Sequence, residues 1–82
     1  MHERALMNDV MRKIEQVAAD EGAERIVRVS VRLGPLTHFT ADHFREHFAD
    51  ASLGTLAEGA EVDAVVDASR GDDVLIESVE VL

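Results

Sequence analysis

Residues 4–21 place Leu6, Met7, Val10, Met11, Ile14, Val17 and Ala18 at spacings of three and four, with Arg4, Asp9, Arg12, Lys13, Gln16 and Asp20 on the other faces. That period predicts an amphipathic helix with one apolar stripe. Gly22 follows as a left-handed cap, because glycine takes positive φ without steric cost. Met7 and Met11, at helical spacing, read as core filler rather than as a cofactor box. Residues 25–33, RIVRVSVRL, alternate instead. Val27, Val29, Val31 and Leu33 face one way and Arg28, Ser30 and Arg32 the other, which predicts a half-buried strand. Gly34-Pro35 ends it, since proline cannot extend a ladder.

Residues 36–40 read as a loop. Thr40 suits an N-cap and Asp42 the positive first turn of a second helix running to about Ala51, closed by Gly54. Phe44 and Phe48 share one face of that helix, and with Phe39 they are the chain's three aromatic residues, so they should anchor it on the core. Residues 60–67, AEVDAVVD, alternate again, with Val62, Ala64 and Val66 set against Glu61, Asp63 and Asp67. After a turn cluster at 69–73, residues 74–81, VLIESVEV, form a third strand whose facing is ambiguous: Leu75, Val79 and Val81 share a parity with Glu77, Val74 and Ile76 with Ser78 and Glu80. The short connection predicts an antiparallel hairpin of the last two strands.

The order helix, strand, helix, strand, strand gives an α+β fold: a two-layer domain with two helices packed on a three-stranded mixed sheet. Eighty-two residues are enough for one domain, residues 1–82, and that domain buries only about 60% of its unfolded surface. There is no cysteine, so within this sequence disulfides, thiolate zinc sites and thiol catalysis have no residues to work with. The first half of the chain is balanced in charge. Residues 42–82 carry two Arg against eleven Asp/Glu, which is the whole net charge of −9. Such a domain should be repelled by nucleic acid and by anionic membrane. With no apolar span and no signal-like start, cytoplasmic residence is the simplest expectation.

Two places could carry chemistry. At Met1-His2-Glu3, the His2 imidazole stands close to the α-amine and two amide nitrogens. Together these make a planar nitrogen field, which suits nickel(II) or copper(II) and disfavours tetrahedral zinc. At His43-x-x-x-His47, two imidazoles four apart on a helix can face one ion, with His38 as a third donor. No HExxH arrangement accompanies them, and ordinary helix-surface histidines are the favoured reading there. The serines lack a nucleophile-elbow context, no phosphate-binding glycine loop occurs, and Asp72-Asp73 sits in a hydrated turn, so no enzyme is expected.

Three separated segments, in order, resemble the HypA/HybF family of hydrogenase-maturation nickel metallochaperones. They are the opening MHERALM, the strand VRVSVRLGPLT, and LGTLAEGAEVDAVV leading into the second strand; the final VLIESVEV is also similar. The resemblance implies a nickel(II) carrier with no catalytic activity, acting in maturation of nickel-iron hydrogenase and in some organisms urease. Its implied partners are a HypB-like GTPase and the hydrogenase large-subunit precursor. It also implies that His2 supplies imidazole and backbone nitrogen, Glu3 backbone nitrogen, and Met1 its amine. Binding should then weaken as pH falls through about 6.5, as an ordinary imidazole protonates.

The family inserts a zinc module with two CxxC pairs between the last two strands. Here ASRGDD, residues 68–73, stands in its place, so structural zinc is not expected. Some relatives also carry an acidic residue near Thr40 that closes the nickel site; Asp42 is the nearest acid in sequence. A second reading follows from these departures: a protein-interaction module that keeps the fold and has lost metal delivery. An exposed edge strand is compatible with a homodimer, although the acidic residues around it oppose one.

Overall fold

The computed structural model describes residues 3–82. Helix α1 spans Glu3–Asp20, strand β1 Ile26–Leu33, helix α2 Ala41–Ser52, strand β2 Glu61–Val66 and strand β3 Val74–Val81, with short 3-10 turns at Pro35–Thr37 and Ala68–Arg70. The sheet order is β2-β1-β3, with β2 parallel and β3 antiparallel to β1. This is the expected α+β architecture. The last two strands are not a hairpin, however: they lie on opposite edges, and residues 67–73 cross the end of β1 between them. A short connection suggested neighbours in the sheet, but residues 67–73 carry the chain across the end of β1 to its other edge, where β3 pairs antiparallel with it.

Both helices cover one face, α1 over β3 and β1, and α2 over β2. Met7, Val10, Met11, Ile14 and Ala18 of α1 are buried with Val29, Val31 and Leu33 of β1 and the three phenylalanines. Met7 and Met11 are thus core, as expected. Val17, at the margin of the stripe, is 40% exposed. Helix α1 closes as a Schellman motif, with Ala23 N–H donating to Ala18 O, Gly22 N–H to Ala19 O, and Gly22 at φ 63°. Thr40 caps α2, its hydroxyl accepting the His43 N–H at 3.1 Å.

Two bulges correct the alternation. In β1, Ile26 pairs with Val81 and Arg28 with Glu80, leaving Val27 as an extra residue; Ile26 takes the buried place expected of Val27. In β3, Ser30 pairs with Ser78 and Val31 with Ile76, leaving Glu77 extra. That slip lets Val74, Ile76, Val79 and Val81 all pack on the core, which resolves the ambiguous facing. On β2, Val62 and Ala64 pack inward as expected. Val66 stays 48% exposed, at the open edge beyond the cover of α2.

On the outer face Arg28 lies 2.6 Å from Glu61, 3.7 Å from Asp63 and 3.6 Å from Glu80, so one guanidinium reaches carboxylates on both neighbouring strands. The Glu61 hydrogen bond leads the causes that push the Arg28 pKa up. Arg32 reaches Asp67 and Glu77 in the same way. These ladders offset the acidity of the second half of the chain, although solvent screens such exposed pairs and leaves each of them weak.

Candidate metal centre

Met1 and His2, two of the three ligands expected from the sequence, lie outside the described residues, as does the Glu3 side chain. The Glu3 backbone opens α1. The first amides of a helix have no intrahelical acceptor, so the Glu3 nitrogen belongs to the set left over for another use. A cleft of about 230 Å³ runs between α1 and the start of β3. Asp9 and Lys13 line it on one side and Asp72 and Asp73 on the other. Lys13, at 2.9 Å, is the first cause holding the Asp9 carboxyl below its usual range, with Arg12 adding to it.

The histidines of the second candidate lie within the described residues. His43 and His47 lie one turn apart on α2 with their Nε2 atoms 2.9 Å apart and ring centroids at 4.5 Å. The buried ring of Phe39 flanks both, at 5.5 Å from His43 and 5.8 Å from His47. Phe39 in turn meets Phe44 edge-on at 5.5 Å, so the imidazoles rest on the aromatic anchor of the helix. His38 does not join them. It caps the 3-10 turn in the left-handed region, at φ 65°, and is exposed. Among the described residues no three His, Cys, Asp or Glu side chains gather around one point.

Thr40 and Asp42 have other tasks. The Thr40 hydroxyl is engaged as the helix cap, and the exposed Asp42 carboxylate is held by Arg45 one turn along. At residues 67–73, Asp67 accepts from the Ser69 hydroxyl at 2.7 Å and the Ser69 N–H at 2.9 Å. Those two bonds, helped by Arg32 and Arg70, hold the Asp67 carboxyl below the usual range. The Asp67–Ser69 contact was not among the features expected of this stretch. The signal available was Asp67 two residues before Ser69, the spacing of an Asx turn.

Comparison with known proteins agrees with this layout. The family described as hydrogenase/urease nickel incorporation, metallochaperone, hypA matches residues 1–71. A hydrogenase maturation factor HypA from Chlorobium limicola is 40% identical over 63 residues, covering 77% of this chain and 54% of that protein. One from Thermococcus kodakarensis is 38% identical over 65 residues, covering 79% of this chain and 47% of its own. The chain therefore spans about half the length of the curated relatives it matches. In structure it is similar to the solution structure of the nickel metallochaperone HypA from Helicobacter pylori. The TM-score is 0.81 at 17% identity, over all of this chain and 98% of the other, a likeness of fold.

Proposed function

The chain belongs to the HypA family, and from that premise we propose that it carries nickel(II) for insertion into a nickel enzyme, nickel-iron hydrogenase first and urease second. His2 supplies its imidazole and backbone nitrogen and Glu3 its backbone nitrogen; Met1 supplies the amine where it is the free chain terminus. The Glu3 carboxylate serves the neighbouring shell or a partner surface.

The observation that carries this reading is that the Met1-His2-Glu3 sequence runs directly into the first residue of α1. A deprotonated Glu3 amide costs the helix no internal hydrogen bond, because that amide has no helical acceptor. A planar set of amine, amides and imidazole matches the preference of nickel(II) for square-planar nitrogen. The partners in this reading are a HypB-like GTPase, from which the metal comes or with which it is held, and the hydrogenase large-subunit precursor that receives it. The reaction of the client enzyme is not this chain's. Its working compartment is the cytoplasm, where enzyme precursors are assembled, and residues 68–73 replace a zinc module in this reading.

Calorimetry with nickel on protein bearing its own N-terminus tests the proposal. One equivalent should bind. His2→Ala and an N-terminal extension should each abolish that binding while leaving the circular dichroism unchanged. Binding by His2→Ala equal to that of the parent removes the proposed site.

A further inference from the structure

We infer that the free edge of β2, beside the groove it makes with α2, takes up an extended segment of another protein as a fourth strand, one that alternates apolar and basic residues.

The sheet ends at β2. It has a neighbour on one side, and among the described residues no backbone bond outside that ladder reaches residues 61–66. Its pairing with β1 runs from Arg28↔Glu61 to Leu33↔Val66 without a bulge, so its outer row of N–H and C=O groups is regular. The opposite edge, β3, is interrupted at Glu77. Bulges and prolines are common guards on an edge strand, and β2 has neither. Alongside it, a groove of about 400 Å³ is lined by Arg45, Phe48 and Ala49 of α2, by Leu53 at the helix end, and by Ala60 and Val62. Phe48 is its buried floor, while Leu53 is 66% exposed. An edge strand beside a helix–strand groove is the arrangement that receives peptides by strand addition: main-chain bonds hold the segment and alternate side chains enter the groove.

The strand already beside β2 shows what a second neighbour needs. In β1, Val29, Val31 and Leu33 lie opposite Val62, Ala64 and Val66 on the core face. Arg28 lies opposite Glu61, and Ser30 opposite Asp63, on the outer face. A segment on the free edge meets the same two rows from the other side, with apolar side chains towards the groove and cationic ones beside Glu61 and Asp63. Arg28 lies 2.6 Å from Glu61 but 3.7 Å from Asp63, so Asp63 keeps acceptor capacity for a new cation. A second copy suits the edge less well, because β2 carries Glu61 and Asp63 and β3 carries Glu77 and Glu80, and like charges would meet. The net charge of −9 steers a basic segment towards this half of the chain.

The test uses the metal-free full chain, isotope-labelled and titrated by NMR with a short peptide of alternating valine and arginine. Saturable shifts should centre on the amides of residues 49–53 and 61–66, and hydrogen exchange in β2 should slow in the complex. Asp63→Lys and Ala49→Arg, both at exposed positions, should each weaken binding by about tenfold, the first by charge reversal and the second by filling the groove. A peptide of alternating valine and glutamate should not bind. Shifts spread over the acidic surface with no slowing of exchange in β2 would reduce the effect to non-specific attraction and overturn the inference. Equal binding of the two peptides would overturn it as well. Concentration-dependent shifts of residues 61–66 without peptide would assign the edge to a second copy, against the inference. The parent titration needs no variant, so the inference stays testable even if a substitution unfolds the chain. With nickel absent throughout, failure of the N-terminal metal site changes none of these outcomes.

Discussion

Gly34 stands so close to Gly71 that a Cβ on Gly34 would lie 2.2 Å from the Gly71 carbonyl oxygen. The contact is where the crossing from β2 to β3 passes the end of β1. Gly34 N–H donates to Asp73 O and Leu36 N–H to Gly71 O, both at 2.9 Å, and Asp67 N–H donates to Leu33 O at 2.8 Å. Three backbone bonds therefore tie the end of β1 and the turn after it to residues 67–73.

Gly34 has an ordinary φ of −70°, so any penalty for adding a side chain is steric alone. Gly34→Ala should destabilise the protein by about 1–3 kcal/mol, the usual range for overpacking a closed contact. Urea unfolding measures it. A midpoint equal to that of the parent would show that the crossing is free to shift aside.

The aromatic anchor gives the largest expected loss. Phe44 is fully buried, and Phe44→Ala should cost about 3–5 kcal/mol. A domain of this size has about 4–12 kcal/mol in all, so the variant should be marginal at room temperature. Thermal melting followed at 222 nm, a helix-sensitive wavelength, checks it. Phe39, on the same cluster, should behave similarly and also loosen the two imidazoles.

Asp67 sets a pH dependence. Its carboxyl is held low by Ser69 first and then by Arg32 and Arg70, whereas in the unfolded chain it titrates near about 3.9. Below that value the unfolded state takes up the proton first. The stabilisation is therefore complete at neutral pH and lost as pH falls through the lower, folded-state value. Asp67→Asn should lower the urea midpoint at pH 7 and leave a flatter decline towards about pH 3 than the parent shows. Parallel curves for the two proteins would count against the Ser69 contact.

Thr40 separates stability from metal binding. Thr40→Ala removes the cap on α2 and should cost about 1 kcal/mol. Thr40→Asp keeps a capping oxygen, so the melt should change little. If an acidic residue at this position closes the proposed nickel site, nickel should bind Thr40→Asp more tightly than the parent in calorimetry. Unchanged affinity would place that role elsewhere.

Much of this architecture was legible in the residues, for identifiable reasons. The stripe from Met7 to Ala18, the Thr40 cap and the Gly22 terminus are local signals, and each appears where the spacing put it. The neighbour relations of the strands were not local. Whether β3 lies beside β2 or beside β1 depends on α2 carrying the chain to one edge, and a turn such as SRGDD looks alike in either case. The bulges at Val27 and Glu77 hid in plain alternation: VLIE and SVEV are each regular, but they are out of phase by one residue, and only pairing against β1 resolves the slip. For the site, HxxxH was visible, but the 2.9 Å approach of the two nitrogens and the flanking Phe39 come from the loop that returns Phe39 over the helix. Met1 and His2 lie outside the described residues, so the sequence and the family carry that part alone.

The most direct measurement is the visible and magnetic spectrum of protein with an unextended N-terminus and one equivalent of nickel(II). The account predicts a yellow, diamagnetic species, the mark of planar nitrogen ligation, lost in His2→Ala. A pale, paramagnetic species that His2→Ala leaves unchanged would contradict it.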